Sequence, residues 1–112
     1  MYGGPETEIC SNVLPFAKTV IDKHGNSALT EPFKALVNEK GWQTFLLAGV
    51  DTGACVMATT FDLFDWGRQP ILLADLCGSG GEKAHHEAAL KAAERAIGAE
   101  QVLKSEGLLL IR

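Results

Sequence analysis

The chain has 112 residues, 46% of them hydrophobic, and a formal net charge of −4 at pH 7. This makes one small domain with one core, residues 1–112, and its scattered Lys and Arg form no basic patch that would neutralise phosphates, so nucleic acid is not an expected partner. No apolar run is long enough for a bilayer, no signal peptide opens the chain, and three cysteines at unfamiliar spacings do not suggest a disulfide scaffold, so the expected setting is the cytoplasm without a membrane partner.

Residues 1–16 are rich in Gly, Pro and polar side chains and read as an extended lead-in. Thr19-Val20-Ile21 is an expected first strand ending at Asp22-Lys23, and Gly25-Asn26-Ser27 is turn material. Thr30 is placed to cap a helix with Pro32 in its first turn; Phe33, Leu36 and Val37 form its apolar stripe and Gly41 ends it. Thr44 to Val50 reads as a buried strand, and Cys55 to Trp66 as an amphipathic helix closed by Gly67. Pro70 to Ala74 is another apolar strand, followed by a glycine-rich loop from Cys77 to Gly81. Glu82 to Ile97 is an alanine-rich helix with Ala89, Leu90, Ala93 and Ile97 on one face. Gln101-Val102-Leu103 and Leu108 to Ile111 are short terminal strand candidates.

Strands alternating with helices, and apolar throughout rather than every second residue, predict an α/β fold: a three-layer, mostly parallel sheet with helices on both faces. The functional crevice of such a sheet lies outside the carboxyl ends of its strands. Lys23, Cys55 and Asp75 each stand after an expected strand and can converge there.

Cys55 carries the most information. The turn Gly49-Val50-Asp51-Thr52-Gly53-Ala54 places it where a helix begins above a strand. The dipole and free N–H groups of a helix start favour an anion, and the thiolate is the nucleophilic form of cysteine. The same position also suits a buried cysteine packing as a small hydrophobe.

Residues 49–56, Gly-Val-Asp-Thr-Gly-Ala-Cys-Val, are followed by Thr60-Phe61-Asp62, Gly67, Ala74-Asp75-Leu76-Cys77 and His85-His86-Glu87-Ala88-Ala89-Leu90. This series resembles the isochorismatase-like cysteine hydrolase family, whose pattern is Gly-Val-x-Thr-x-x-Cys-Val, a Thr-x-Asp on the next helix, a closing glycine, Asp-Ala/Leu-Cys after the next strand, and a histidine leading a Glu-Ala-Leu helix. Val20 to Leu29 is similar to the family's lysine segment. The resemblance runs from about Pro5 to Leu103 and implies the Rossmann-like fold of that family.

The resemblance further implies hydrolysis of a small amide or carbamoyl compound through a thioester; no cofactor or metal is expected. Cys55 would be the nucleophile and Lys23 the cation that stabilises its charge and that of the tetrahedral intermediate. Backbone N–H groups around Val50, Asp51 and Cys55 would hold the oxyanion, where the family carries a non-proline cis peptide. The family's third catalytic residue, an Asp ending its first strand, has no counterpart here, so the chain is expected to be N-terminally short and impaired. Glu6 and Glu8 are weaker candidates to replace it, and Asp75 is either a site carboxylate or a loop cap. His24, His85 and His86 lack metal-ligand spacing, and Cys10 and Cys77 are expected to be inert. The alternative from another class is a non-catalytic domain that acts in oligomerisation, because a missing central strand leaves an open sheet edge. A homo-oligomer is expected on either reading.

Overall fold

Local signals set the elements of the computed structural model, which describes Pro15 and residues 17–80 and 82–107. The first helix, α1, runs Glu31–Lys40. Thr30 caps it, its hydroxyl accepting from the Phe33 N–H at 3.3 Å, and Pro32 sits in the first turn, where its missing N–H costs nothing. Gly41 ends it at φ 72°, a left-handed conformation that glycine adopts without a Cβ clash. Between them Val37 is fully buried.

Strand β1 (Thr44–Val50), helix α2 (Met57–Asp65), strand β2 (Gln69–Gly78), helix α3 (Lys83–Ile97) and strand β3 (Val102–Leu103) follow. The described strands form a parallel sheet in the order β1-β2-β3. Its core is Val56, Leu72 and Ala93, with Leu47, Cys55, Met57, Cys77, Leu90 and Val102 packed around them. Burying an aliphatic side chain such as Leu72 contributes about 1.5–3 kcal/mol. The α/β fold with a parallel sheet is as the sequence predicts. Arg68 adds a junction that no sequence pattern announces. Its guanidinium lies 4.0 Å over the Trp66 ring and donates to Trp42 O and to Asn38 Oδ1, tying the ends of α1 and α2 together.

Three expectations need correction. Thr19 to Lys23 is irregular rather than a strand. A strand needs a ladder partner, and no described strand pairs with this segment. β1 is not buried on both faces. Its residues alternate between half-buried and exposed, and Leu46 is 55% and Val50 72% exposed. The strand is apolar on both faces, but the described elements cover only the face carrying Phe45 and Leu47, and leave even those side chains half-buried. Finally, β2 is twice as long as its apolar core and includes Asp75, Leu76, Cys77 and Gly78. Two steps from Leu47 to Gly49 on β1 face five from Leu72 to Cys77 on β2, so the ladder bulges there. The candidate strand Leu108 to Ile111 lies outside the described residues.

Candidate active site

The turn between β1 and α2 carries the site. Gly49 leaves the strand at φ 131°, and a Cβ there would stand 4.0 Å from Val56 Cγ2, so conformation rather than space demands glycine. The Val50–Asp51 peptide bond is cis. Asp51 then acts as N-cap, its carboxylate accepting from the Gly53 N–H at 3.1 Å. A π-helical turn, Thr52–Val56, runs directly into α2, with the N–H groups of Ala54 and Val56 both donating to Asp51 O. Cys55 therefore lies in the first turn of the helical segment, one turn further in than a cap.

Two backbone contacts frame the Cys55 sulfur. The Asp51 N–H donates to Sγ at 3.2 Å, and the thiol donates to Val50 O at 2.8 Å. Cys55 and Lys23 line one cavity of about 280 Å³ with Ala28, Leu47, Ala48, Val50, Val56 and Thr59. Lys23 reaches it from an irregular segment rather than from a strand end, and its ammonium also donates to Gly25 O at 2.9 Å. Ala28, on the same wall, is fixed by its N–H donating to Thr59 Oγ1 at 2.9 Å, which ties the lysine segment to α2.

Asp75 is not brought to this cavity. It lies in the bulged part of β2, and its carboxylate accepts from the Ser105 N–H at 2.7 Å and from the Ser105 hydroxyl. Those bonds hold its protonation below the usual carboxylate range. It serves as the loop anchor, the second of its two readings. Cys77 is half-buried, and desolvation pushes its thiol up. Cys10, Glu6 and Glu8 lie outside the described residues.

Two contacts have no counterpart in the sequence pattern. The Ser79 hydroxyl, in the glycine-rich loop, donates to Asp51 Oδ1 at 2.8 Å. With Gly53 N–H it holds the Asp51 carboxyl below its ordinary value, Ser79 being the larger cause. Thr52, fully buried, sets Oγ1 2.8 Å from His86 Nδ1 on α3. The signals are present as an Asp-Thr-Gly at a helix start and a histidine one turn into α3, but nothing in their spacing says that they meet.

The cavity at the carboxyl end of a parallel strand, the helical turn after it and the cysteine within that turn invite comparison with known proteins. The Isochorismatase domain family profile matches residues 2–105. Among solved structures, a nicotinamidase/pyrazinamidase from Bacillus subtilis superposes with a TM-score of 0.79 at 27% identity, over 92% of this chain and 60% of that one. An isochorismatase-like hydrolase from Alkaliphilus metalliredigens gives 0.68 at 25% identity, over 75% of this chain and 44% of the other. A nicotinamidase from Staphylococcus aureus gives 0.67 at 25% identity, over 74% and 51%. The chain thus spans about half the length of the solved structures it matches. With most of its residues under the family profile, this chain belongs to the isochorismatase family.

Proposed function

We propose that the chain carries a cysteine-hydrolase site for small amide or carbamoyl compounds. The observation that carries the reading is that Cys55 and Lys23 share one small cavity, with the Asp51 N–H directed at the sulfur. About 280 Å³ suits a small molecule, and two of the solved relatives are nicotinamidases by name. In the proposed reaction the Cys55 thiolate attacks the carbonyl carbon and forms a C–S bond. The carbonyl electrons move to oxygen, where the Asp51 and Cys55 N–H groups and the Lys23 ammonium face the charge. Collapse breaks the C–N bond and the amine leaves with a proton taken from solvent water; a further water then attacks the thioester, breaks the C–S bond, and gives the acid and the free Cys55 thiol.

Among the described residues lining the cavity there is no carboxylate. A positioned acid–base group contributes about 10²–10⁴-fold. The chain as given is therefore expected to hydrolyse amides and ureido compounds slowly. Ammonia release from a panel of small primary amides, with intact-mass detection of the acyl-enzyme, tests this. Cys55→Ala should remove both signals. Turnover that survives Cys55→Ala would sink the reading.

The proposal includes a cytoplasmic setting and a homo-oligomer, the latter supported by the exposed apolar residues Leu46 and Val50 on β1. Light scattering that finds only monomer at working concentration would remove the oligomer. An assembly without any acyl-enzyme would favour the non-catalytic reading instead.

A further inference from the structure

Ser79 is absent from the lining of the cavity. Its hydroxyl nevertheless ends on the residue whose backbone N–H reaches the Cys55 sulfur. The chain of contacts is short: Ser79 Oγ donates to Asp51 Oδ1 at 2.8 Å, the Gly53 N–H donates to the same oxygen at 3.1 Å, and the Asp51 N–H donates to Cys55 Sγ at 3.2 Å.

We propose that Ser79 is a positioning residue: by holding the Asp51 carboxylate from the loop after β2, it keeps the Asp51 N–H aimed at the Cys55 sulfur. The inference rests on the cysteine-nucleophile reading above but concerns a residue outside the cavity. The physical logic is geometric. Gly53 belongs to the same turn as Asp51, so its bond moves with the turn and cannot fix it in space. Ser79 follows a different strand, at the end of β2, and ties the turn to the sheet. Gly78, beside it, has Val50 Cγ1 3.6 Å from where a Cβ would stand, so this loop and the turn are in close approach. Without the hydroxyl the carboxylate keeps only backbone bonds, from Gly53 in its own turn and from Gly80 in the loop, so the turn is held less firmly and its N–H is less well aimed at the sulfur. A hydrogen bond to the charged form of a thiol favours that form, so its loss slows the thiolate's reactions.

The test is the second-order rate of iodoacetamide alkylation of Cys55, followed by peptide mass spectrometry from pH 6 to 9. Ser79→Ala should react about three- to tenfold more slowly at pH 7, the range that one hydrogen bond's net worth corresponds to. Its rate profile should move to higher pH. Ser79→Thr, which keeps the hydroxyl, should return to within about twofold of wild type. In an Asp51→Ala background Ser79→Ala should have no further effect, because the carboxylate it acts through is gone. A Ser79→Ala protein with unchanged circular dichroism and an unchanged rate overturns the inference. So does an effect that persists in the Asp51→Ala background. Should Ser79→Ala fail to fold, Ser79→Gly and the hydrogen-exchange rate of the Asp51 amide decide the same question. The parent reading fails separately: wild-type Cys55 that alkylates no faster than free cysteine removes the nucleophile itself.

Discussion

The Thr52–His86 contact fixes the Cys55 turn to α3, and its energy follows from the structure. Thr52 is fully buried, and its hydroxyl lies 2.8 Å from His86 Nδ1, on a residue that keeps access to solvent. Thr52→Val keeps the shape and removes the hydroxyl. The net loss of a hydrogen bond is about 0.5–1.5 kcal/mol, and leaving a wholly buried partner unpaired adds about 1–3 kcal/mol. Water can reach the imidazole, so the added penalty should be small and the total about 1 kcal/mol. For a chain of this length that lowers the melting temperature by roughly 4 °C. Urea unfolding of wild type, Thr52→Val, His86→Ala and the double variant gives the coupling energy. A coupling of about 0.5–1.5 kcal/mol is expected. Strictly additive single effects would refute the argument, as would a Thr52→Val protein as stable as wild type.

Leu72→Ala removes a fully buried side chain from the middle strand, packed with Val56 and Ala93, and should cost about 2–5 kcal/mol in denaturant unfolding. Limited iodoacetamide treatment at neutral pH should label Cys55 ahead of Cys77, whose thiol burial pushes up, and peptide mass spectrometry reads the ratio. Asp51 and Asp75 both titrate below their usual value of 3.8 in the folded chain because Ser79 and Ser105 bond to the charged form. Their contribution is fully present above that usual value and disappears as the pH falls through the depressed folded values. A stability profile in urea should therefore drop below about pH 4, and Ser79→Ala with Ser105→Ala should flatten that drop. An acid limb unchanged in the double variant would show that other carboxylates cause it.

Local chemistry is legible in the sequence wherever one residue decides one conformation. Thr30, Pro32 and Gly41 bound α1 as read, because capping and the left-handed stop involve only neighbouring residues. α3 ends before Gly98 as read, whose positive φ of 103° suits glycine, although Glu82 at its N-cap makes no side-chain capping bond. The cysteine turn is legible because Gly49 and Cys55 stand at a fixed spacing after an apolar strand. What is not legible depends on distant partners. Thr19 to Ile21 has strand composition but no ladder among the described residues. Asp75 has the sequence position of a strand end, because the bulge in β2 cannot be read from one strand alone. Ser79 has the composition of a glycine-rich loop around it, and its role lies wholly in reaching Asp51, 28 positions earlier in the chain.

Asp51 raises a question about the proton that the geometry answers. It is the acidic residue next to Cys55, and a carboxylate there invites the role of base. Its Oδ1, however, is occupied by Ser79 and Gly53, both donating to the charged form. Those bonds depress its affinity for a proton, which makes it a poorer acceptor than an ordinary carboxylate. The thiol proton points elsewhere, to Val50 O. Asp51 thus divides its two ends: the carboxylate holds the turn, and the N–H faces the sulfur. Asp51→Asn separates these roles, because an amide oxygen still accepts from Ser79 and Gly53 while the negative charge is gone. Removing a like charge near a thiolate favours the thiolate. Cys55 alkylation at pH 7 should therefore be as fast in Asp51→Asn as in wild type, or faster. A reaction slowed about a hundredfold or more, the size of a lost acid–base role, would mean that Asp51 takes the thiol proton after all, and the division between anchor and N–H donor would have to be abandoned.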